Sequence, residues 1–300
     1  MRSRPLKRSH WRTVNDALDP ATDFVEITRN VVLYEFPWDM NQALGFALFR
    51  TYAVPGIGRL LDETGEFNNR VQKRYDDTAL LLEQPFIHGV ESTEGRAAIR
   101  RINQMHKSYE IPNHEMRYVL STFVVVPKRW IDVYGKRPLT HHEVLASVSY
   151  WRLIARHLNI GDVPETYEEF ARVMDDYEAE HFAFDPGGRR VADSTLALMR
   201  TFYPAFLNRA VDSFSRAIMD EPVREAFRYA APSPRVERLS RAALRARGRV
   251  LRVFPARTTA KTSQDLPWIR SYPDGFEVEA LGTFPKGCPV PHRQAATADP

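Results

Sequence analysis

Three polar side chains near the middle of the chain have the types and the spacing that could act on a buried ligand. Arg74 and Thr78 lie four residues apart in a helical pattern, so both side chains share one face of a helix. His106 follows Ile102 at the same spacing, so its imidazole points towards the apolar side of a second helix. A neutral imidazole on such a face can ligate a metal-bearing cofactor such as haem. The candidate site is therefore the segment 74–109.

Each of these residues also has a purely structural interpretation. A core histidine at position 106 can be satisfied by a backbone carbonyl. Arg74 can form an ion pair with Asp77 or Glu83, and Thr78 can bond back to its own helix. The residues alone leave both interpretations open, and they establish only a helical protein with an inward-facing histidine.

Other catalytic patterns are incomplete in this sequence. His142-Glu143 begins a zinc-protease motif, but Ala146 stands where the second histidine is needed. Glu178 and His181 have the Glu-x-x-His spacing of a di-iron bundle, which requires two such pairs. No Gly-x-Ser-x-Gly elbow and no glycine-rich phosphate loop is present. Zinc, nucleophilic serine and nucleotide chemistry are therefore not expected.

The composition is that of a globular protein without a membrane span. The chain has 300 residues, of which 43% are hydrophobic and 27% charged, and no run approaches the roughly 18 apolar residues of a transmembrane helix. The basic N-terminus lacks the apolar region of a secretory signal. A single cysteine, Cys288, excludes an intramolecular disulfide and a cysteine-ligated cluster. We expect a cytoplasmic protein.

The positive charge is concentrated in one segment. Net charge is +4, and eight arginines lie between Arg235 and Arg257 with Glu237 as the one acid there. The first interpretation is a solvated surface with no nucleic-acid partner. Contact with an anionic membrane surface, or with nucleic acid, are the alternatives.

Helical patterns, caps and breakers predict an all-α fold. Two capping boxes, Thr140 with Glu143 and Thr166 with Glu169, predict helices over 141–159 and 167–182. Further helices are predicted over 41–61 with a break at Pro55, and over 68–83, 96–111, 116–135 with closure or a kink at Pro127, 191–204, 208–220 and 233–250. A loop is predicted around Pro85 to Gly89, a turn over 185–188, and a short strand over 274–284.

The same patterns divide the chain into three parts. Residues 1–22 form a polar leader with weak structure, 23–230 an all-α domain, and 231–300 a basic helix followed by a proline-bearing tail. The apolar stretches 42–54 and 116–126 belong to the central part and are candidates to line a hydrophobic channel.

Several segments in this order resemble the MpaB-type oxygenases, which share a superfamily with the latex-clearing protein, a bacterial rubber oxygenase. The resemblance rests on YEFPWDMNQALGFALFRTYAVPGIGRLL, RYDDT, QMHKSYEI, YEAEH and VADST, and it covers roughly residues 24–230. The tail sequence GFEVEALGTFP looks similar as well.

This resemblance implies a globin-like helical fold that binds haem b and uses dioxygen to cleave a carbon–carbon double bond in an isoprenoid chain. Position by position, it implies that His106 is the proximal ligand of the haem iron. It also implies that Arg74 holds dioxygen or a haem propionate through charge-assisted hydrogen bonds, and that Thr78 donates to the iron-bound oxygen. Arg74 and Thr78 would then be catalytic residues on the distal side.

Three departures from the family pattern narrow the interpretation. Asp77 stands where rubber oxygenases have a lysine, which favours the MpaB branch and an apolar small molecule over rubber. Glu63 and Glu66 lie near the position of a proposed catalytic base, although neither aligns securely. The N-terminal membrane anchor of fungal MpaB enzymes has no counterpart here, so membrane contact would fall to 235–257.

The sequence thus predicts an oxidoreductase, a haem-b-dependent oxygenase acting on an apolar, isoprenoid-like substrate with dioxygen. Two other functions stay open. One is a non-catalytic haem or lipid carrier with the same fold, and the other is a basic protein that binds nucleic acid or a membrane surface.

Overall fold

Prolines, glycines and capping side chains divide the chain into helices. The computed structural model describes residues 5–283. This described part contains fourteen α-helices and no strand, which confirms the all-α prediction. Cys288 lies outside it. The helices are α1 His10–Asp16, α2 Phe24–Asn30, α3 Pro37–Tyr52, α4 Pro55–Glu63, α5 Glu66–Asn69, α6 Val71–His88, α7 Thr93–His106, α8 Asn113–Tyr134, α9 His141–His157, α10 Tyr167–His181, α11 Pro186–Arg200, α12 Asn208–Ile218, α13 Glu221–Ala226 and α14 Pro234–Leu251.

Both predicted capping boxes are confirmed. The hydroxyl of Thr140 accepts a hydrogen bond from the backbone N–H of Glu143 at 3.2 Å, and the Glu143 carboxylate accepts one from the backbone N–H of Thr140 at 2.9 Å. Thr166 and Glu169 repeat this arrangement at the start of α10. The break at Pro55 is also confirmed, because α4 begins at that proline.

Pro85, which was expected in a loop, and Pro127, which was expected to close or kink its helix, both lie inside helices. α6 continues through Pro85 to His88, so the loop predicted there is wrong, and α8 continues through Pro127 to Tyr134. An internal proline costs a helix about 3 kcal/mol, because it removes a hydrogen bond and crowds the preceding turn. Both prolines are buried, so packing on both sides of each helix offsets that cost.

The turn predicted over 185–188 is instead the start of α11. The carboxylate of Asp185 caps this helix by accepting hydrogen bonds from the backbone N–H groups of Gly187 and Gly188 at 2.8 and 3.1 Å. The glycines serve close packing rather than a turn: a Cβ at Gly58 of α4 would lie 2.7 Å from the Cα of Gly188. α4 and α11 therefore cross with their backbones nearly in contact.

Both ends of the described chain differ from the prediction. The N-terminal end contains a helix, and the C-terminal end has no strand. Residues 10–16 form α1, so the prediction of weak structure is wrong there; the buried Asn15 bonds to Glu143 and Asn30, both at 3.0 Å. The strand predicted over 274–284 is wrong for 274–283, where Val278–Ala280 is a short 3-10 turn. Its apolar residues pack on α6 and α7, and no neighbouring strand is present among residues 5–283.

The core lies around α8, which packs against α3, α9 and α10. Its largest fully buried side chains are aromatic, including Tyr118, Tyr150 and Phe170. α6 and α7 pack side by side and carry a second, smaller apolar cluster that contains Leu80 and Leu281. No helix of the described residues is long and apolar enough to cross a membrane.

Candidate functional site

A cavity of about 260 Å³ lies between the α6–α7 pair and the core helices α3, α8 and α9. Its walls are mainly apolar and aromatic, as in most small-molecule sites. Both stretches expected to line a channel contribute to these walls, 42–54 through Leu48 and 116–126 through Val119 and Phe123. α9 adds Trp151.

The structure brings Arg74, Thr78 and His106 to this one cavity. Arg74 and Thr78 lie one turn apart on α6, and His106 is the last residue of α7. The helical periodicity of the sequence accounts for this arrangement, because the residues that precede His106 on the same face, Ile99 and Ile102, also line the cavity.

His106 is neutral and incompletely hydrogen-bonded. Its buried Nδ1 has no hydrogen-bond partner among the described residues, so no backbone carbonyl satisfies that atom. Burial and, to a smaller extent, the positive charge of Arg74 together lower the pKa of His106 to about 4. At neutral pH the ring therefore carries no charge and keeps a lone pair free, which is the state that ligates a metal.

Arg74 and Thr78 are bonded to each other. Thr78 Oγ1 accepts a hydrogen bond from Arg74 Nη1 and donates one to the backbone carbonyl of Arg74 at 2.8 Å. The guanidinium also lies over the ring of Phe67, 5.4 Å from its centroid. Neither Asp77 nor Glu83 pairs with Arg74, because both carboxylates have other partners. Arg74 therefore faces the cavity without a carboxylate partner among residues 5–283.

Asp77 holds the C-terminal part of the described chain. Its carboxylate accepts hydrogen bonds from Lys73 Nζ at 2.6 Å and from the hydroxyl of Tyr272. Its neighbour Asp76 accepts backbone hydrogen bonds from Arg270 and Ser271 at 3.0 and 2.9 Å. We call residues 263–283 the C-terminal strap.

The C-terminal strap completes one wall of the cavity. Arg101 of α7 donates hydrogen bonds to the carbonyls of Leu281 and Thr283 at 2.7 and 2.6 Å, and Gly282 and Thr283 line the cavity. Gly282 has a φ of +83°, in the left-handed region that favours glycine, and a Cβ there would also displace the end of the Met105 side chain. Sequence reasoning missed this wall.

Neither glutamate considered as a base lines the cavity. Glu63 is exposed, and Glu66 pairs with Arg70 at 2.5 Å. Of the described residues, the carboxylates that do line it are Asp77 and Glu115. Glu115 lies in the first turn of α8, and burial raises its pKa. The sequence carries a signal for it, since Glu115 shares its helix face with Val119.

The Glu178–His181 pair is held by protein side chains. The carboxylate of Glu178 accepts two hydrogen bonds from the guanidinium of Arg50, and a third, at 3.1 Å, from the hydroxyl of Tyr118. The ring of His181 stacks on Tyr177 with centroids 3.9 Å apart. Within residues 5–283, no group of three or more metal-ligating side chains is gathered.

The basic segment forms α14 and has two unlike faces. On the inner face, Arg247 pairs with Asp39 at 2.9 Å and stacks over Trp38. On the outer face of α14 and in the turn that follows it, several arginines and apolar side chains are exposed together: Arg235, Arg238, Leu239, Arg245, Arg249, Val250, Val253 and Phe254. The charge of Arg247 is therefore neutralised within the protein, whereas the arginines of the outer face are exposed to solvent.

The described residues thus form a helical protein with a mainly apolar cavity, and one imidazole nitrogen in its wall has no hydrogen-bond partner among them. Comparison with known proteins makes this specific. Residues 38–253 match the sequence profile of the family described as ER-bound oxygenase mpaB/B'/Rubber oxygenase, catalytic domain. This match covers most of the chain, and the protein belongs to that family.

Three fungal relatives agree with this assignment. The chain is 30% identical over 250 residues to the ER-bound oxygenase mpaB' of Penicillium brevicompactum, covering 76% of this chain and 59% of the relative. It is 27% identical over 248 residues to mpaB of Penicillium roqueforti (strain FM164), covering 76% and 83%. It is 30% identical over 215 residues to mpaB of Penicillium brevicompactum, covering 65% and 55%.

The family resemblance inferred from the sequence is thus confirmed. It does not extend over the full length of every relative. The chain spans little more than half the length of the two Penicillium brevicompactum proteins. The relatives are named ER-bound, and the cytoplasmic location stays a prediction. The globin-like detail of the fold and the haem also stay predictions.

Proposed function

We propose that this protein is a haem-b-dependent oxygenase that oxidises or cleaves a carbon–carbon double bond in an apolar, isoprenoid-like substrate. The observation that carries the proposal is the apolar cavity whose wall holds a neutral imidazole next to an arginine without a carboxylate partner. The family to which the chain belongs supports the oxygenase part of the proposal.

The residues in the cavity wall fit haem in three respects. His106 offers a neutral imidazole with a buried, unpartnered nitrogen, which suits an iron ligand. Arg74 offers a guanidinium to a haem propionate or to a bound anion. The apolar walls suit the faces of a porphyrin. Bound haem would supply the activation of dioxygen, and the protein would supply positioning and a dry environment.

The hydrogen bonds of Thr78 indicate its part in this proposal. Its proton is directed to the backbone carbonyl of Arg74, and its oxygen accepts from the Arg74 guanidinium. Thr78 therefore fixes the direction of Arg74 and has no proton left for a ligand in this rotamer. Arg74 keeps further N–H groups that can donate to an oxygen atom in the cavity. In this proposal Thr78 is a positioning residue and Arg74 touches the reacting atoms.

The absorption spectrum of the protein expressed with a haem precursor tests the proposal directly. We expect a Soret band that is lost in His106→Ala, together with oxygen uptake when an isoprenoid is added. The matched control is His114→Ala, an exposed histidine on α8 whose removal leaves the Soret band in place. A colourless wild-type protein in the presence of excess haem would refute the proposal. A Soret band without oxygen uptake would instead support the haem or lipid carrier.

A second, separate proposal concerns the outer face of α14 and the turn that follows it, which we infer contact an anionic membrane surface. Leu239, Val250, Val253 and Phe254 are 70%, 56%, 59% and 55% exposed and alternate with arginines. Arginines attract anionic lipid headgroups, at about 1 kcal/mol each near the surface. The apolar side chains add insertion below the headgroups, which binding to a nucleic-acid backbone does not use. The combination favours a membrane surface over nucleic acid.

Sedimentation with vesicles tests this contact. Vesicles of phosphatidylcholine with phosphatidylserine should retain the protein, and vesicles of phosphatidylcholine alone should not. Both Arg245→Glu/Arg249→Glu and Val250→Ser/Phe254→Ser should abolish retention. The control Arg156→Glu/Arg172→Glu reverses two exposed charges elsewhere and should have no effect. Equal retention of all variants, or salt-dependent binding to DNA that exceeds binding to vesicles, would refute the contact.

A further inference from the structure

One carboxylate in the cavity wall has no hydrogen-bond or ion-pair partner among residues 5–283. Glu115 is half-buried at the start of α8, and its side chain makes no hydrogen bond or ion pair with the described residues. The other carboxylate in the wall, Asp77, is satisfied by Lys73 and Tyr272. Glu115 is therefore the carboxylate of the described wall that keeps its full capacity to accept hydrogen bonds from a ligand.

The carboxylate of Glu115 lies beside the first turn of the neighbouring helix α4. A Cβ at Gly56, in the first turn of α4, would overlap Glu115 Oε1, so the carboxylate lies against bare backbone. The lack of a side chain at Gly56 creates the space that Glu115 occupies. Any larger residue there would push the carboxylate away.

The solvent side of Glu115 is polar, whereas its cavity side is apolar. His114 Nδ1 lies 2.9 Å from the hydroxyl of Tyr177, and the ring of Tyr177 stacks on that of His181. These two histidines favour the charged form of Glu115 and thereby oppose the rise in its pKa that burial causes. On the other side, Met116 and Val119 continue the apolar wall. The Glu115 carboxylate thus lies at the edge of an apolar part of the cavity wall.

A ligand that fills the cavity covers the cavity side of this carboxylate. A hydrocarbon would displace water from that side and would put no hydrogen-bond donor in its place, which is costly. A ligand with a hydrogen-bond donor at this place would replace the lost water. We propose that Glu115 accepts a hydrogen bond from a hydroxyl group of the substrate, so that the substrate is an isoprenoid alcohol rather than a hydrocarbon. This inference rests on the proposed function for the cavity as the substrate site.

Calorimetric titration with farnesol and with farnesyl methyl ether tests the inference, because the two probes share the chain and differ in the donor. A hydrogen bond to a charged group corresponds to about tenfold in affinity. We expect wild-type protein to bind farnesol about tenfold more tightly than the ether. Glu115→Leu should bind both probes with similar affinity, and Glu115→Gln should retain part of the preference.

A second variant tests the geometry without changing the acceptor. Gly56→Ala should displace the Glu115 carboxylate and reduce the preference for farnesol severalfold, whereas binding of the ether changes little. The control Glu110→Leu removes an exposed glutamate outside the cavity wall and should keep the tenfold preference. A preference that survives in both Glu115→Leu and Gly56→Ala would overturn the inference.

The titration also separates this inference from the proposed function. Equal binding of both probes to wild-type protein would overturn the role of Glu115 alone and leave the cavity as an isoprenoid site. Absence of binding for both probes would overturn the substrate assignment of the cavity, and the role of Glu115 with it. All titrations use protein of the same haem content, and neither result depends on oxygen uptake.

Discussion

Arg50 and Arg74 are two inward-facing arginines with opposite surroundings. Arg50 is bound by the carboxylates of Glu178 and Asp220, and only 16% of its side chain is exposed. Arg74 contacts Thr78 and the ring of Phe67 and has no carboxylate partner in the described chain. The first arginine belongs to a cluster whose charges are satisfied within the protein. Arg74 keeps the capacity to donate further hydrogen bonds into the cavity. Arg50 is therefore a structural charge, whereas the charge of Arg74 is available to a ligand.

The largest expected effect is on stability, at Arg50. Arg50→Met leaves the buried Glu178 without its counter-charge, and breaking a buried pair in this way costs about 3–5 kcal/mol. Urea denaturation measures the change in the free energy of unfolding. The control is Arg129→Met, which breaks an exposed pair with Asp175 and should cost less than about 1 kcal/mol. Equal losses in the two variants would contradict the distinction between the clusters.

Arg74→Met should show the reverse pattern. Loss of a donor that acts on the reacting oxygen lowers turnover by about 100-fold, which corresponds to about 2.7 kcal/mol in the barrier. The free energy of unfolding should change by less than about 1 kcal/mol, because no buried carboxylate loses a partner. Oxygen uptake and denaturation of the same preparation measure both quantities. Turnover that equals wild type would remove Arg74 from the reaction.

The pH dependence of stability should report the buried His106. Its pKa is about 4 in the folded protein and 6.5 in the unfolded chain, so the unfolded chain binds the proton first as pH falls. Stability of the haem-free protein should therefore decrease from pH 6.5 towards pH 4, by on the order of 2 kcal/mol for this group. His106→Phe should lose that part of the slope. An unchanged slope would mean that the imidazole is not desolvated.

Tyr272→Phe should have the smallest effect on stability. It tests Asp77, a charged residue whose partners lie within the protein and which is on the same helix as Arg74. Asp77 of α6 keeps Lys73 but loses the tyrosine hydroxyl, at a cost of about 1–2 kcal/mol. Proteolysis should release the C-terminal strap sooner, and mass spectrometry identifies the cut. Tyr203→Phe, at a tyrosine that is 45% exposed, is the control. Equal cleavage rates in the two variants would show that Asp77 does not hold the strap.

Local signals in the sequence were sufficient for much of the fold. Thr140, Thr166 and Pro55 start helices through contacts within a few residues, and each was predicted correctly. Pro85 was predicted wrongly because burial, which depends on distant helices, overrides its local preference. Asp185 was misread for a related reason, since its glycines serve packing against α4.

The site was predictable in part. Periodicity was sufficient to direct Arg74, Thr78 and His106 towards one interior, and the resemblance supplied their proposed roles. The strap was not predictable, because Asp77 and Tyr272 are 195 residues apart and no local pattern joins them. Glu115 was also missed, since its significance comes from the missing side chain of Gly56 on another helix.

The strap has a consequence for the order in which the protein is assembled. Synthesis proceeds from the N-terminus, and the hydrogen bonds of Arg101 to Leu281 and Thr283 join positions 180 and 182 residues apart. α6 and α7 are therefore complete on the ribosome long before the segment that covers them is made. During that interval the part of the wall that Gly282 and Thr283 supply is missing, so the cavity reaches its described form only after residues 263–283 have been made.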